Sequence, residues 1–408
     1  MDVNDLRIQF PSLSEKVYGK PLIYFDNAAS MQRPLAVVER IRNSILHENA
    51  NIHRAVHYLS AKATDVYENT REQVARFLNA SSSQEVVFTY GTTTSINLVA
   101  YSFGEKFIGE GDEIIVSEAE HHSNIVPWQL LCSRKRASLK VIPVQDNGEL
   151  DLDALRNLIT PRTRIVSVTH ISNVLGIVNP IEEVIRIAHE RGVPVLIDGA
   201  QGIVHQKIDV QELDCDFYCF SAHKIFGATG VGVLYGKRKW LTEMPPFLSG
   251  GEMIDTVKFS GSTFAPIPMR FEAGTQNFNS VPTLQDSIAT INSIRESEEL
   301  LSYHEQVKDY LYNALMEDSR IRLFGVPCRT SDKIALFSFC VEGVHHEDLA
   351  LILDKMGIAV RSGQMCAEPI MDRFGVTGML RASLSYYNTL EEARTFIECL
   401  SRAITMLS

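Results

Sequence analysis

Apolar residues fall in short blocks through the first two thirds of the chain, and helix-length amphipathic stretches separate them. The blocks predict strands at Glu85–Thr89, Glu113–Ser117, Leu139–Val144, Arg164–Thr169, Pro194–Ile197, Asp216–Ser221 and Val231–Tyr235. The stretches between them predict helices at Thr93–Tyr101, Asn124–Arg134, Leu152–Leu158 and Ile181–Arg191. Such alternation implies an α/β fold, with a mostly parallel seven-stranded sheet covered on both faces. From about Leu284 the pattern changes. A long helical stretch runs to Met316, followed by strands at Arg320–Phe324 and Ala335–Val341. A helix around Glu347–Met356, a short strand at Ala359–Arg361 and a last helix over Leu390–Met406 complete it. This reads as a large domain over residues 20–285 and a smaller α+β domain over 286–408, joined by residues 1–19. No repeat, low-complexity tract or long linker interrupts the pattern.

The 408 residues, 45% hydrophobic and 22% charged, have the composition of an ordinary globular protein. A net charge of −11 opposes nucleic acid and anionic membranes as partners. The one basic run, Ser133 to Arg136, reads as a solvated helix end. No segment is an apolar run of the roughly 18 residues a membrane span needs, and no signal peptide is expected. The seven cysteines are scattered and odd in number, which fits reduced thiols in a cytoplasmic protein. Cys215 and Cys219 read as strand packing, so no metal site is expected.

Ligands in parallel sheets bind beyond the carboxyl ends of the strands. Lys224 follows the apolar run from Phe217, in Ser221-Ala-His-Lys224. Burial there favours the neutral amine, a nucleophile toward aldehydes. Asp198 ends another strand. A lysine to carry an aldehyde and an acid to partner a pyridinium nitrogen are the pair that pyridoxal phosphate needs. Gly91-Thr-Thr-Thr94 opens a helix after a strand, where backbone N–H groups favour an anion. Thr92 and Thr93 taken alone are helix caps; beside Asp198 and Lys224, with Ser221 and His223, they become a phosphate cup. His121-His122 is either a surface or metal-binding pair or, with pyridoxal phosphate present, a source of an imidazole that stacks on its ring and shuttles protons, which makes His121 a candidate catalytic residue. The glycines from Gly227 to Gly232 precede a strand, so they permit a tight turn and are not a dinucleotide loop. Cys366 lies in a polar loop between Arg361 and Pro369, a candidate nucleophile with core filling as the alternative. Arg381 is placed to pair with a substrate carboxylate or to form a surface salt bridge.

These segments occur with Asn51 to His57, Glu120 to Trp128, Ser172-Asn-Val-Leu-Gly176, Gly250-Gly-Glu-Met253, Arg270 to Thr275 and Arg381-Ala-Ser383 in one order along the chain. Together they closely resemble the group II cysteine desulfurases of the SUF iron–sulfur pathway, which belong to the class V aminotransferases and to fold type I of the pyridoxal phosphate enzymes. The resemblance implies that Lys224 carries the cofactor, Asp198 partners its ring nitrogen and Gln201 donates to its phenolate oxygen. His121 matches the stacking histidine, and Thr93, Ser221 and His223 match the phosphate ligands. Thr275 would reach the phosphate of a second subunit, which implies a homodimer. Asn173 and Arg381 match ligands of the substrate carboxylate; His53 and Arg361 lie in segments that line the pocket. The implied reaction converts L-cysteine to L-alanine, with a persulfide on Cys366 that passes to an acceptor protein of SUF type for iron–sulfur cluster assembly. Many relatives carry two histidines before the cysteine, where this chain has Gln364 and Met365. Selenocysteine lysis, another class V reaction such as transamination, and a non-enzymatic scaffold are the alternatives.

Overall fold

The computed structural model describes residues 1–408. Seven strands form the main sheet: β1 (Val86–Thr89), β2 (Glu113–Ser117), β3 (Ser138–Ile142), β4 (Thr163–Thr169), β5 (Val195–Asp198), β6 (Phe217–Ser221) and β7 (Gly232–Gly236). Their spatial order is β3-β2-β4-β5-β6-β7-β1. All neighbours run parallel except β7, which is antiparallel to both β6 and β1. Every residue of β2, β5, β6 and β7 is buried. Helices cover both faces, so these strands read as continuous apolar runs without alternation.

Register places the chemistry along one edge. Thr169 pairs with Asp198, Asp198 with Cys219, and Gly232 with both Ser221 and Thr89. The ends of β1, β4, β5 and β6 therefore stand side by side.

An exposed hairpin, β8 (Ile254–Lys258) and β9 (Gly261–Phe264), follows. The C-terminal sheet comprises β10 (Ile321–Phe324), β11 (Leu336–Val341), β12 (Arg361–Gly363) and β13 (Met379–Ser383), in the antiparallel order β10-β11-β13-β12.

Two sequence expectations are corrected. The stretch from Leu284 to Met316 is two helices, Thr283–Arg295 and Glu298–Glu317. Ser297 between them is extended, and its hydroxyl accepts the Leu300 N–H at 3.3 Å. Ser-Glu-Glu is an N-cap followed by an acidic first turn, which starts a new helix. The strand expected at Ala359–Arg361 is also two. Ile358–Ala359 pairs parallel with Ile23–Tyr24, and Arg361–Gly363 pairs with β13. The helices Leu35–His47 and Tyr58–Phe77, the β8–β9 hairpin and β13 are further elements that hydropathy blocks did not separate from their surroundings.

The N-terminal segment reaches both sheets. Val3, Leu6, Phe10 and Leu13 join the apolar cluster on the main sheet, which also takes Leu284, Ile288, Ile291 and Ile294. Ile23 and Phe25 join the cluster under the C-terminal sheet. Phe10 is fully buried against Phe226 (5.3 Å between centroids) and Tyr387 (4.8 Å). Burial of such a ring contributes about 1.5–3 kcal/mol, here directly behind the turn that carries Lys224. No helix is long and apolar enough to cross a membrane.

Candidate active site

A cavity of about 200 Å³ opens where the main sheet's carboxyl edge meets the C-terminal sheet. Lys224 ends the short turn Ala222–Lys224 directly after β6 and projects into it. Burial lowers its pKa to about 8, and Arg381 and Arg361 push the same way, against the carboxylate of Asp198. Asp198, at the end of β5, is 3% exposed and accepts the Ala200 N–H at 2.9 Å. Burial raises its pKa, while that hydrogen bond and Lys224 oppose the rise.

The adjoining corner is built to hold an anion. The helix Thr92–Phe107 begins there, with Gly91 as its N-cap at φ 153°. Ser221 Oγ accepts the Thr92 N–H at 2.8 Å and lies 2.8 Å from Thr92 Oγ1. A Cβ on Gly232 would come within 2.4 Å of Gly91 Cα, so the close approach of β7 to this corner needs glycine. Thr93 and His223 complete the wall. Burial and the Lys224 charge lower His223 to about 4, leaving a neutral imidazole whose Nδ1 is 3.3 Å from Ser30 Oγ.

His121 stands on the opposite wall. Burial, then the positive charge of Lys224, lowers its pKa to about 4. Its Nδ1 accepts the Ser123 N–H at 3.1 Å, which puts the proton of the neutral ring on Nε2. A buried network fixes the segment behind it. Glu120 accepts from Asn124 Nδ2 (2.6 Å) and the Thr169 N–H (2.9 Å), and Asn124 Oδ1 accepts from Trp128 Nε1 at 2.9 Å. Burial lifts the Glu120 pKa to about 8, so this carboxyl is mostly protonated at neutral pH.

The C-terminal sheet supplies the third wall. Arg381 is 2% exposed in β13, paired through Nη2 with Asp26 at 2.9 Å, while Nη1 donates to Asn173 O at 2.8 Å. Its buried Nε has no hydrogen-bond partner. Asp26 also faces Arg361 Nη1 at 3.5 Å. Asn173 Nδ2 donates to Met365 O at 2.9 Å, which ties the corner around Arg381 to the loop that carries Cys366. Cys366 is exposed at the mouth. Met365 and Cys366 both have left-handed backbones, φ 54° and 56°, a conformation that costs about 1–2 kcal/mol for each residue other than glycine. His122 holds this pair. Its N–H donates to Cys366 O at 2.7 Å, and its Nε2 accepts the Glu368 N–H at 3.1 Å.

Twelve of the residues expected from sequence line this one cavity: Lys224, Asp198, Gln201, His121, Thr92, Thr93, Ser221, His223, Asn173, Arg361, Arg381 and Cys366. His53 and Thr275 do not line it. His53 Nε2 lies 2.9 Å from Glu68 Oε1, against the ring of Tyr67. Sequence reading missed Asp26, which joins the two arginines, and the role of His122 in holding the loop. Neither carries a local signal, since each acts across more than 200 residues of chain. Gln201 Nε2 donates to Ala28 O at 2.8 Å, which ties the segment after Asp26 to the main sheet.

The cations Lys224, Arg361 and Arg381 outnumber the one lining carboxylate, Asp198, so the cavity suits ligands bearing negative groups. A nucleophilic amine, a buried acid, an anion corner at a helix N-terminus and a flat neutral imidazole make up the donor set of a pyridoxal phosphate enzyme.

Comparison with known proteins agrees. The aminotransferase class V model matches residues 23–396, and the chain belongs to that family, whose members use pyridoxal phosphate. Among its relatives are a cysteine desulfurase of Synechococcus elongatus, 46% identical over 404 residues, and a probable cysteine desulfurase of Vibrio cholerae, 44% identical over 407 residues. The match covers 99% of this chain and 64% of the Synechococcus protein, and 100% of both this chain and the Vibrio protein. The crystal structure of the cysteine desulfurase CsdA (S-sulfonic acid) from Escherichia coli superposes with a TM-score of 0.90 at 38% identity, covering 100% of each chain. An apo cysteine desulfurase from Thermococcus onnurineus NA1 gives 0.88 at 36% identity, covering 99% of this chain and 98% of that one.

Proposed function

We propose that this protein is a cysteine desulfurase that converts L-cysteine to L-alanine and supplies the sulfur for iron–sulfur cluster assembly. One observation carries the reading. Cys366, the one exposed thiol lining the cavity, stands at the mouth of a pocket floored by Lys224 and Asp198, with the buried Arg381 beside it. A transaminase needs no such thiol.

Lys224, Asp198, Gln201, His121, Thr92, Thr93, Ser221 and His223 would hold pyridoxal phosphate. When bound, the cofactor supplies an aldehyde for the substrate amine and a sink for the electrons released at Cα. The chain's own residues do the rest. Arg381, with Asn173 beside it, binds the substrate carboxylate, and its free Nε is a further donor. Lys224 Nζ, neutral above pH about 8, takes the Cα proton. The Cys366 sulfur attacks the substrate sulfur, the thiolate being the nucleophilic form of a thiol. The sulfur–sulfur bond forms as the carbon–sulfur bond breaks, and the carbon gains a proton. L-cysteine and the Cys366 thiol thus give L-alanine and a Cys366 persulfide.

The motif set favours the group II, SUF-pathway subtype, with a protein as sulfur acceptor and the cytoplasm as its place. Two clamps on the Cys366 loop, at His122 and Asn173, favour an acceptor that approaches the thiol over a loop that swings out. A homodimer would bring Thr275 of one subunit toward the cavity of the other. Exposed apolar side chains, Val56, Tyr58 and Phe259, leave surface that a second subunit would cover. Mass spectrometry after addition of L-cysteine tests the reading. One added sulfur atom on the peptide containing Cys366 is expected; alanine formed with no sulfur there would overturn it. Selenocysteine lysis at the same site differs in one respect, since it would survive Cys366→Ala.

A further inference from the structure

A second cavity, of about 390 Å³, lies between the main and C-terminal sheets and shares no lining residue with the first. That volume is at the small end for ligand sites. Its lining is rich in buried cations and imidazoles. Lys333 is 3% exposed, Lys308 7% and His304 6%, and His205 faces them. Glu305 is the only carboxylate in the lining and is already paired with Lys308. Lys333 has no carboxylate partner; its ammonium donates to Leu175 O at 2.5 Å and lies 5.7 Å from the centre of the Phe337 ring. The Nδ1 of His304 is buried without any partner, while its ring packs on Tyr386 at 4.6 Å.

Burying an ammonium away from water without a counter-charge costs several kcal/mol. Burial, then the charge of Lys308, lowers the pKa of Lys333 to about 7 and that of His304 to about 4. Nothing in the reaction at Cys366 uses these groups. An anion in the cavity would supply the missing charge for Lys333 and an acceptor for an imidazole N–H of His304.

We propose that this interdomain cavity is a binding site for a small anion bearing a phosphate or carboxylate group, anchored by Lys333 and His304. The test uses holoenzyme whose cofactor has been fixed to Lys224 by borohydride, so that added phosphate does not report on the catalytic anion corner. Calorimetric titration with inorganic phosphate, and separately with succinate, is compared with chloride at equal ionic strength. Saturable binding of either at one site per chain is expected, weakened at least tenfold by Lys333→Met and unchanged by Lys258→Met on the exposed hairpin. The stronger of the two probes identifies the group the site takes. Should Lys333→Met fail to fold, His304→Gln carries the same comparison. No saturable binding of either probe, or binding unaltered by both cavity substitutions, would overturn the proposal.

Discussion

The two ends of the catalytic cavity are built on opposite plans. The cofactor end consists of strand termini in a sheet buried on both faces, where Asp198 and Ser221 are held by register and Lys224 follows one turn later. The thiol end is a short turn between β12 and the helix Glu368–Phe374, with Cys366 exposed between the buried Met365 and Ala367, and with two consecutive left-handed residues held by hydrogen bonds from distant segments. One end is positioned by the register of a doubly covered sheet, and the other by the burial of Met365 and Ala367 together with a few hydrogen bonds. The proposed desulfurase reaction calls for this asymmetry. The cofactor must stay fixed through the reaction, whereas the sulfur must leave the protein from an accessible thiol.

The largest effects should separate the ends. Lys224→Ala should lower alanine formation by about 10²–10⁴-fold, the scale of a lost general base, and abolish covalent cofactor attachment. Cys366→Ala should cost at least about 10³-fold with cysteine as substrate, since a positioned nucleophile is lost, yet leave the visible absorbance of the cofactor intact. Loss of that absorbance in Cys366→Ala would show that the ends are not independent.

The rate at which apoprotein takes up pyridoxal phosphate probes the cofactor end alone. Only the neutral Lys224 amine condenses with an aldehyde, and its pKa is lowered to about 8. The sign follows directly. Below pH 8 the ammonium form dominates and uptake should fall about tenfold per pH unit; above 8 it should level off. A rate still climbing toward the ordinary lysine value of about 10.4 would mean that burial does not tune this amine.

The same asymmetry decides what was legible in the sequence. The main sheet could be read because strands buried on both faces are continuous apolar blocks, and Lys224 and Asp198 stood out as charges at the ends of such blocks. The helix break at Ser297 was less legible, because the apolar period carries on across it while a single hydroxyl resets the backbone. The strand at Ala359–Arg361 hid a change of sheet, since neither half is long enough to show its own period. At the thiol end the motif around Cys366 pointed to the proposed nucleophile through family resemblance. Asp26 and His122 could not be found this way, because they act on residues at the far end of the chain.

Asp26→Asn tests the join between the ends. It removes the charge shared by Arg381 and Arg361 while keeping shape and one acceptor. A hydrogen bond to a charged group is worth about 1.5–3 kcal/mol, and 1.4 kcal/mol is a factor of ten. The KM for cysteine should therefore rise about tenfold or more, with cofactor absorbance unchanged. A fall in kcat at constant KM would place Asp26 in the chemistry and not in orienting the carboxylate ligand.

His122→Ala has the smallest expected effect and bears most directly on the contrast. The backbone N–H of residue 122 still donates to Cys366 O in this variant, so what is lost is the acceptor for the Glu368 N–H and a 3.9 Å approach to the Glu368 carboxylate. A single neutral hydrogen bond contributes about 0.5–1.5 kcal/mol, which predicts persulfide formation slower by about 2- to 10-fold. KM and the cofactor spectrum should not move, because Arg381 and Lys224 lie on other elements. His122→Asn keeps a side-chain acceptor and should recover part of the rate. If both variants match the wild type, the strained pair at Met365 and Cys366 is held by Asn173, the backbone and the burial of Met365. If both lose cofactor, the loop and the sheet edge form one cooperative unit, and the division between a rigid end and a lightly held end fails.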